Sequence, residues 1–87
     1  MKITDIQITP ITPHNGLVAF ASVLIDNSIY LGSIGVHTRL DGSGYRITYP
    51  TKKVGAKDIN VYRPTNEETS KLLENAIIEK TKELFAN

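Results

Sequence analysis

Period-two alternation and short apolar runs fill the first two thirds of the chain, and a helical period takes over in the last third. Between residues 2 and 11, Ile6 and Ile8 alternate with Gln7 and Thr9, which places successive side chains on opposite faces of a strand. Ile3 falls out of that phase, and Pro10 has no amide to give a neighbour, so the segment reads as a bulged edge strand. Thr12 to Gly16 supplies turn residues. Leu17 to Ile25 is apolar at nearly every position, which predicts a strand buried on both faces. Asp26, Asn27 and Ser28 then predict a hairpin turn into a third strand, Ile29 to Thr38, and Asp41 to Gly44 turns the chain into a fourth, Tyr45 to Tyr49. In that fourth strand Tyr45, Ile47 and Tyr49 share one face, with Arg46 and Thr48 on the other. Pro50 ends it, a lysine-rich turn follows, and Ile59 to Tyr62 resume an extended run before Pro64.

Thr65 opens the helical third. Glu68 stands three residues after it, the capping-box spacing, and Glu67 and Glu68 both oppose the positive end of the helix dipole. At 100° per residue, Leu72, Leu73, Ala76, Ile77 and Leu84 collect on the side expected to lie on the sheet. Lys80 projects near the middle of that stripe, and Ile78 and Phe85 form a second flank suited to a second contact. The expectation is an α+β fold: a small antiparallel or mixed sheet of about five strands, with one long C-terminal helix packed beside it, in a single domain over residues 1–87. One helix covers one face of such a sheet. The apolar second face of Leu17–Ile25 therefore predicts another cover, and a second copy of the chain is the expected one.

Composition narrows the function classes. Hydrophobic residues at 40% and charged residues at 22% exclude a disordered or fibrous chain. No run is long and apolar enough for a membrane span, and the first ten residues lack the apolar centre of a secretory signal, so a cytoplasmic location is expected. Without cysteine there is no disulfide, thiolate nucleophile or cysteine zinc site. His14 and His37 stand apart, with no metal-ligand spacing around them. Gly32 and Gly35 lie inside a strand and read as sites of a bulge or close backbone approach, not as a phosphate cradle. Asp41 and Asp58 suit turn formation or pairing with Arg39 or Lys57. No cluster of nucleophile, base and acid emerges, so the expectation is a non-enzymatic protein with no catalytic residue, metal or cofactor.

Charge changes the picture more. The whole chain carries a formal net charge of +1, yet between Arg39 and Arg63 six cations (Arg39, Arg46, Lys52, Lys53, Lys57, Arg63) face two anions (Asp41, Asp58). The remainder is net acidic. A positive segment on a nearly neutral chain suits a polyanionic partner, DNA or RNA, with the three lysines on phosphates and the arginines reaching sugar or base edges. The alternative is that Lys52, Lys53 and Lys57 only solvate an exposed turn. Tyr45, Tyr49 and Tyr62 fit either a sheet core with hydroxyls at the rim or, with Arg46 and Arg63, a surface on which unpaired bases stack. A competing reading is a protein-interaction module that recruits a division or transcription partner through a sheet edge or the Ile78 and Phe85 flank.

The order and spacing of several short motifs resemble the stage V sporulation protein G family of bacterial septation regulators, SpoVG. They are Lys-Ile-Thr-Asp-Ile at Lys2 to Ile6, Ala-Phe-Ala-Ser-Val-Leu-Ile-Asp at Ala19 to Asp26, Asp-Gly-Ser-Gly at Asp41 to Gly44, Tyr-Pro-Thr-Lys-Lys at Tyr49 to Lys53, Lys-Asp-Ile at Lys57 to Ile59, and Arg-Pro-Thr-Asn-Glu-Glu at Arg63 to Glu68. The resemblance implies a compact α+β domain that forms a homodimer through its sheet. It also implies a DNA- and RNA-binding regulator linked to septum formation, to sporulation where that occurs, and to gene expression. It carries the family's basic turn onto Pro50, Thr51, Lys52 and Lys53. The loop after Lys53 is shorter than in the family, and the segment Asn60 to Arg63 is longer.

Overall fold

Turns built on asparagine, aspartate and glycine fold the first half of the chain back on itself in the computed structural model, which describes residues 1–86. Strands β1 (Ile3–His14) and β2 (Leu17–Ile25) are joined by Asn15 and Gly16 at φ of 50° and 89°. Both values are positive, as a type I′ hairpin turn demands. Asp26 and Asn27, at 50° and 52°, lead into β3 (Ile29–Thr38), and the loop through Gly44 leads into β4 (Tyr45–Thr48). The four strands form one antiparallel sheet in the order β1-β2-β3-β4.

Strand β1 is the bulged edge that the alternation predicts. Its pairing with β2 shifts between Ile3 and Asp5, and the extra residue brings Ile3 into phase with Ile6 and Ile8, so that all three pack on the core. The strand runs three residues beyond the expected end at Ile11, with a second irregularity between Pro10 and His14. In β2 the two faces differ within the described chain. Ala19, Ala21, Val23 and Ile25 are buried under the helix, whereas Phe20 and Leu24 point to the other side, where this chain supplies no second layer.

Helix α1 (Glu67–Phe85) packs on the inner face of the sheet. Its cap is Asn66 instead of Thr65: the Asn66 Oδ1 accepts a hydrogen bond from the Thr69 amide at 2.8 Å. Asparagine satisfies that amide at least as well as threonine, and Glu67 and Glu68 keep their place in the first turn. The contact line follows a spacing of four, through Leu73, Ile77, Thr81 and Phe85. The first three are buried, and the Phe85 ring stacks on Tyr45 with centroids 6.2 Å apart. Leu72 and Leu84, placed on the buried stripe from the sequence, are exposed. Thr81 hid the true line because it is polar. Its hydroxyl donates to the Ile77 carbonyl at 2.8 Å, which lets it be fully buried.

After Pro50 the chain departs from the expected turn and fifth strand. Thr51–Val54 (β5) and Lys57–Asn60 (β6) pair only with each other, as a separate two-stranded sheet. Gly55, at φ 63°, takes the first position of the two-residue loop, the position that a type II′ turn reserves for glycine. The base of this hairpin is closed by the Val61 amide, which donates to the Pro50 carbonyl at 2.8 Å, and by Tyr62. The Tyr62 hydroxyl donates to the Gly32 carbonyl at 2.6 Å, and its ring meets Tyr49 edge-on at 5.9 Å. That gathering of Tyr62 onto β3 lets the hairpin project while its root stays fixed.

Candidate nucleic-acid interface

All eight strand residues of the β5–β6 hairpin are exposed. Cross-strand partners in an antiparallel pair share a face, so the register Lys52↔Ile59 and Val54↔Lys57 puts Lys52 and Lys57 on one face with two aliphatic side chains. Val54 is 53% exposed and Ile59 is 50% exposed. Lys53 lies on the opposite face, across from Asp58. The hairpin therefore has a cationic, part-apolar side and a side on which one lysine faces one carboxylate.

The arginines are dispersed. Arg39 and Arg46 line a shallow depression with Leu40 and Asp41 at the β3–β4 end of the sheet. Arg63 lies at the other end, where it borders an apolar cavity of about 330 Å³ with Met1, Ile25, Ile29 and Leu73. The six cations thus form three groups on the molecule. Among the described residues the single ion pair is the exposed Lys71–Glu67 at 3.2 Å on the helix, so none of the six is tied to a carboxylate of its own fold.

Electrostatic surroundings are set by neighbours. Burial is the main cause that pulls His37 below the ordinary imidazole value, and the Arg46 guanidinium adds to it. The ring shares a 3.0 Å hydrogen bond with the Thr48 hydroxyl. Asp41 is held below the usual carboxylate range chiefly by the Ser43 hydroxyl and then by the Ser43 amide, which donates to it at 2.9 Å, as in an aspartate-led turn. Burial pushes the Tyr49 hydroxyl up, and pushes Tyr62 up to about 12 with a further contribution from Tyr49. Tyr49 Oη is buried with no hydrogen-bond partner, and Gly35 has no room for a Cβ, which would stand 2.7 Å from Thr48 Oγ1. The close approach at that glycine is made by the Thr48 and His37 side chains, not by another backbone.

The tyrosines divide differently from the sequence reading. Tyr45, Tyr49 and Tyr62 pack against the core, which fits the core alternative. Tyr30 and Phe20 are exposed on the sheet face away from α1, and Phe85 is exposed at the end of the helix. Alternation from Ala19 and Ala21 marks Phe20 as outward, but the same count back from Ile34 would turn Tyr30 inward, and it is the bulge at Gly32 and Ser33 that reverses the phase and brings Tyr30 out.

The sequence profile of the SpoVG family matches residues 1–83. A "Putative septation protein SpoVG" of Caldicellulosiruptor bescii is 30% identical, over 92% of this chain and 90% of the relative. A protein of the same name in onion yellows phytoplasma is 29% identical, over 100% of this chain and 87% of its own length.

Proposed function

The chain belongs to the SpoVG family, and on that premise we propose that it is a non-enzymatic regulator of septation and gene expression that binds DNA or RNA through its β5–β6 hairpin. The observation that carries this reading is a projecting hairpin whose Lys52, Lys53 and Lys57 are exposed and whose ammonium groups have no carboxylate of the described residues within ion-pair reach. An isolated two-stranded hairpin is marginal in water, and a chain that fixes the root of one while leaving both its faces bare presents it to a partner. Phosphates suit the lysines of such an arm, and Arg39, Arg46 and Arg63 supply further contacts around the sheet. On α1 five glutamates outnumber three lysines, so the helix layer is net acidic and a polyanion is steered toward the hairpin and open sheet.

Two copies acting together complete the reading. Strand β4 pairs only with β3, and beside it the Tyr45–Phe85 stack leaves Phe85 partly exposed. A two-fold pairing of β4 with its counterpart would extend the sheet and cover that ring, presenting two hairpins to one polymer. The experiment is equilibrium binding to DNA and RNA, single-stranded and duplex, across a salt series, with sedimentation of the free protein. Affinity that falls steeply with salt and a dimer at micromolar concentration are expected. Absent or salt-independent binding would refute the nucleic-acid reading and favour a protein-recruitment role. Septation itself is tested by division-site morphology in a strain lacking the protein, where an unaltered septum pattern would remove that part.

A further inference from the structure

The sheet face opposite α1 carries an aromatic cleft that the hairpin reading leaves unused. Phe20 pairs with Gly35 and Leu24 with Tyr30, so Phe20 and Tyr30 both point away from the helix. Tyr30 is 71% exposed and Phe20 41%. Between them lies a cleft of about 210 Å³ whose rim holds the hydroxyls of Thr9, Ser22 and Ser33.

The backbone is shaped to hold this cleft open. Between the pairs Ala21↔Ile34 and Val23↔Leu31, Gly32 and Ser33 oppose Ser22 alone, so β3 bulges there, and Ser33 sits at φ 58°. Gly32 is the site of closest approach: a Cβ on it would stand 2.7 Å from Tyr30 Cε2. The tyrosine ring therefore lies over bare backbone, which fixes a large apolar ring at the surface, where water gives it no reward.

We propose that this cleft receives an unpaired nucleobase, stacked on Tyr30 and Phe20, so that the protein distinguishes single-stranded from duplex nucleic acid. The inference rests on the nucleic-acid reading above and adds a second, base-reading site to it. Hydroxyls that both donate and accept match the mixed edges of a base, and an exposed ring supplies the π-face that every base can use. Charge favours the same occupant. Asp5 is the one carboxylate on the four strands of this sheet and is already engaged by Gln7 Nε2 at 2.9 Å, while Arg46 projects from β4 on the same face. Leu24 shares this face, but the serine, threonine, glutamine and arginine side chains around the two rings make it too polar for the dry centre of an interface between copies.

The test is fluorescence anisotropy with one labelled single-stranded RNA of mixed sequence and its duplex, on the full chain and on Tyr30→Ala, Tyr30→Phe and Gly32→Ala. Tyr30→Ala is expected to weaken single-strand binding about tenfold and leave the duplex affinity and salt slope unchanged. Tyr30→Phe retains binding because the ring stacks, and Gly32→Ala weakens it because the ring must move. Unchanged circular dichroism and thermal midpoint of Tyr30→Ala show that the fold is intact. If wild-type protein binds neither strand nor duplex, the nucleic-acid reading fails and this site fails with it. If wild type binds and Tyr30→Ala binds the single strand equally well, only the cleft proposal is overturned. An equal loss on both substrates, or a changed sedimentation coefficient, overturns it too, by assigning the ring to the fold or to contact between copies.

Discussion

Salt dependence offers the sharpest test of how the hairpin works, because the register separates its lysines. Lys52 and Lys57 share the face that also holds Val54 and Ile59, while Lys53 emerges on the other, across from Asp58. One phosphate backbone lying along the first face meets two ammonium groups, and the third is turned away with a carboxylate opposite it. Each phosphate contact on duplex DNA contributes a slope of about 0.9 in log affinity against log salt, so Lys52→Ala with Lys57→Ala should lower the slope by about 1.8. Between about 50 and 200 mM salt this difference makes the double variant's affinity fall about twelvefold less than wild type's. Lys53→Ala should leave the slope at the wild-type value. All three side chains are exposed, so the fold should survive the changes, which circular dichroism verifies. Anisotropy titrations on one duplex at four salt concentrations give the slopes. A wild-type slope in the double variant, or an equal effect of Lys53→Ala, would refute the one-face argument.

Other predictions concern the scaffold. Ile77→Ala removes a fully buried side chain from beneath the sheet and should cost about 2–5 kcal/mol in chemical denaturation, and a loss under about 1 kcal/mol would show that α1 does not pack as described. Asn66→Ala should destabilise by about 0.5–2 kcal/mol, with Thr65→Ala closer to neutral, and the reverse order would restore Thr65 as the cap. Tyr62→Phe leaves the Gly32 carbonyl unpaired at the hairpin root and should cost about 1 kcal/mol, with faster amide exchange across β5 and β6. Unchanged exchange would remove Tyr62 as the anchor. For His37 the folded value lies below 6.5, so the unfolded chain takes up the proton first. The resulting stability is present above pH 6.5 and lost as pH falls through the lower folded value. Urea unfolding at pH 7.5 and pH 5 should therefore show a larger acid loss in wild type than in His37→Gln, and equal losses would contradict it.

The order of elements up to Pro50, and the helix after Pro64, was legible from residue pattern alone, because period-two and period-3.6 patterns are local and turn residues act over two or three positions. Strand β5, by contrast, was hidden in a segment that reads as a lysine-rich turn. Asn15-Gly16 closes its hairpin wherever it stands, and the phase error at Ile3 already announced a bulge. The charge-rich segment from Arg39 to Arg63 was equally plain, since counting charges needs no coordinates. Tertiary structure alone decided which charges meet. Pairing of β5 with β6 moved Lys53 away from Lys52 and Lys57, and strand order sent Arg63 to the far end of the sheet from Arg39 and Arg46. It also sorted the tyrosines, packing Tyr45, Tyr49 and Tyr62 half-buried against the core and leaving Tyr30 outside, and it drew the helix line through Thr81, a polar residue that no apolar pattern would select. Periodicity assigns side chains to the faces of one element, whereas a site is made where faces of different elements come together. That depends on register, bulges and close approaches such as those at Gly32 and Gly35, and these are settled by packing between residues far apart in the chain.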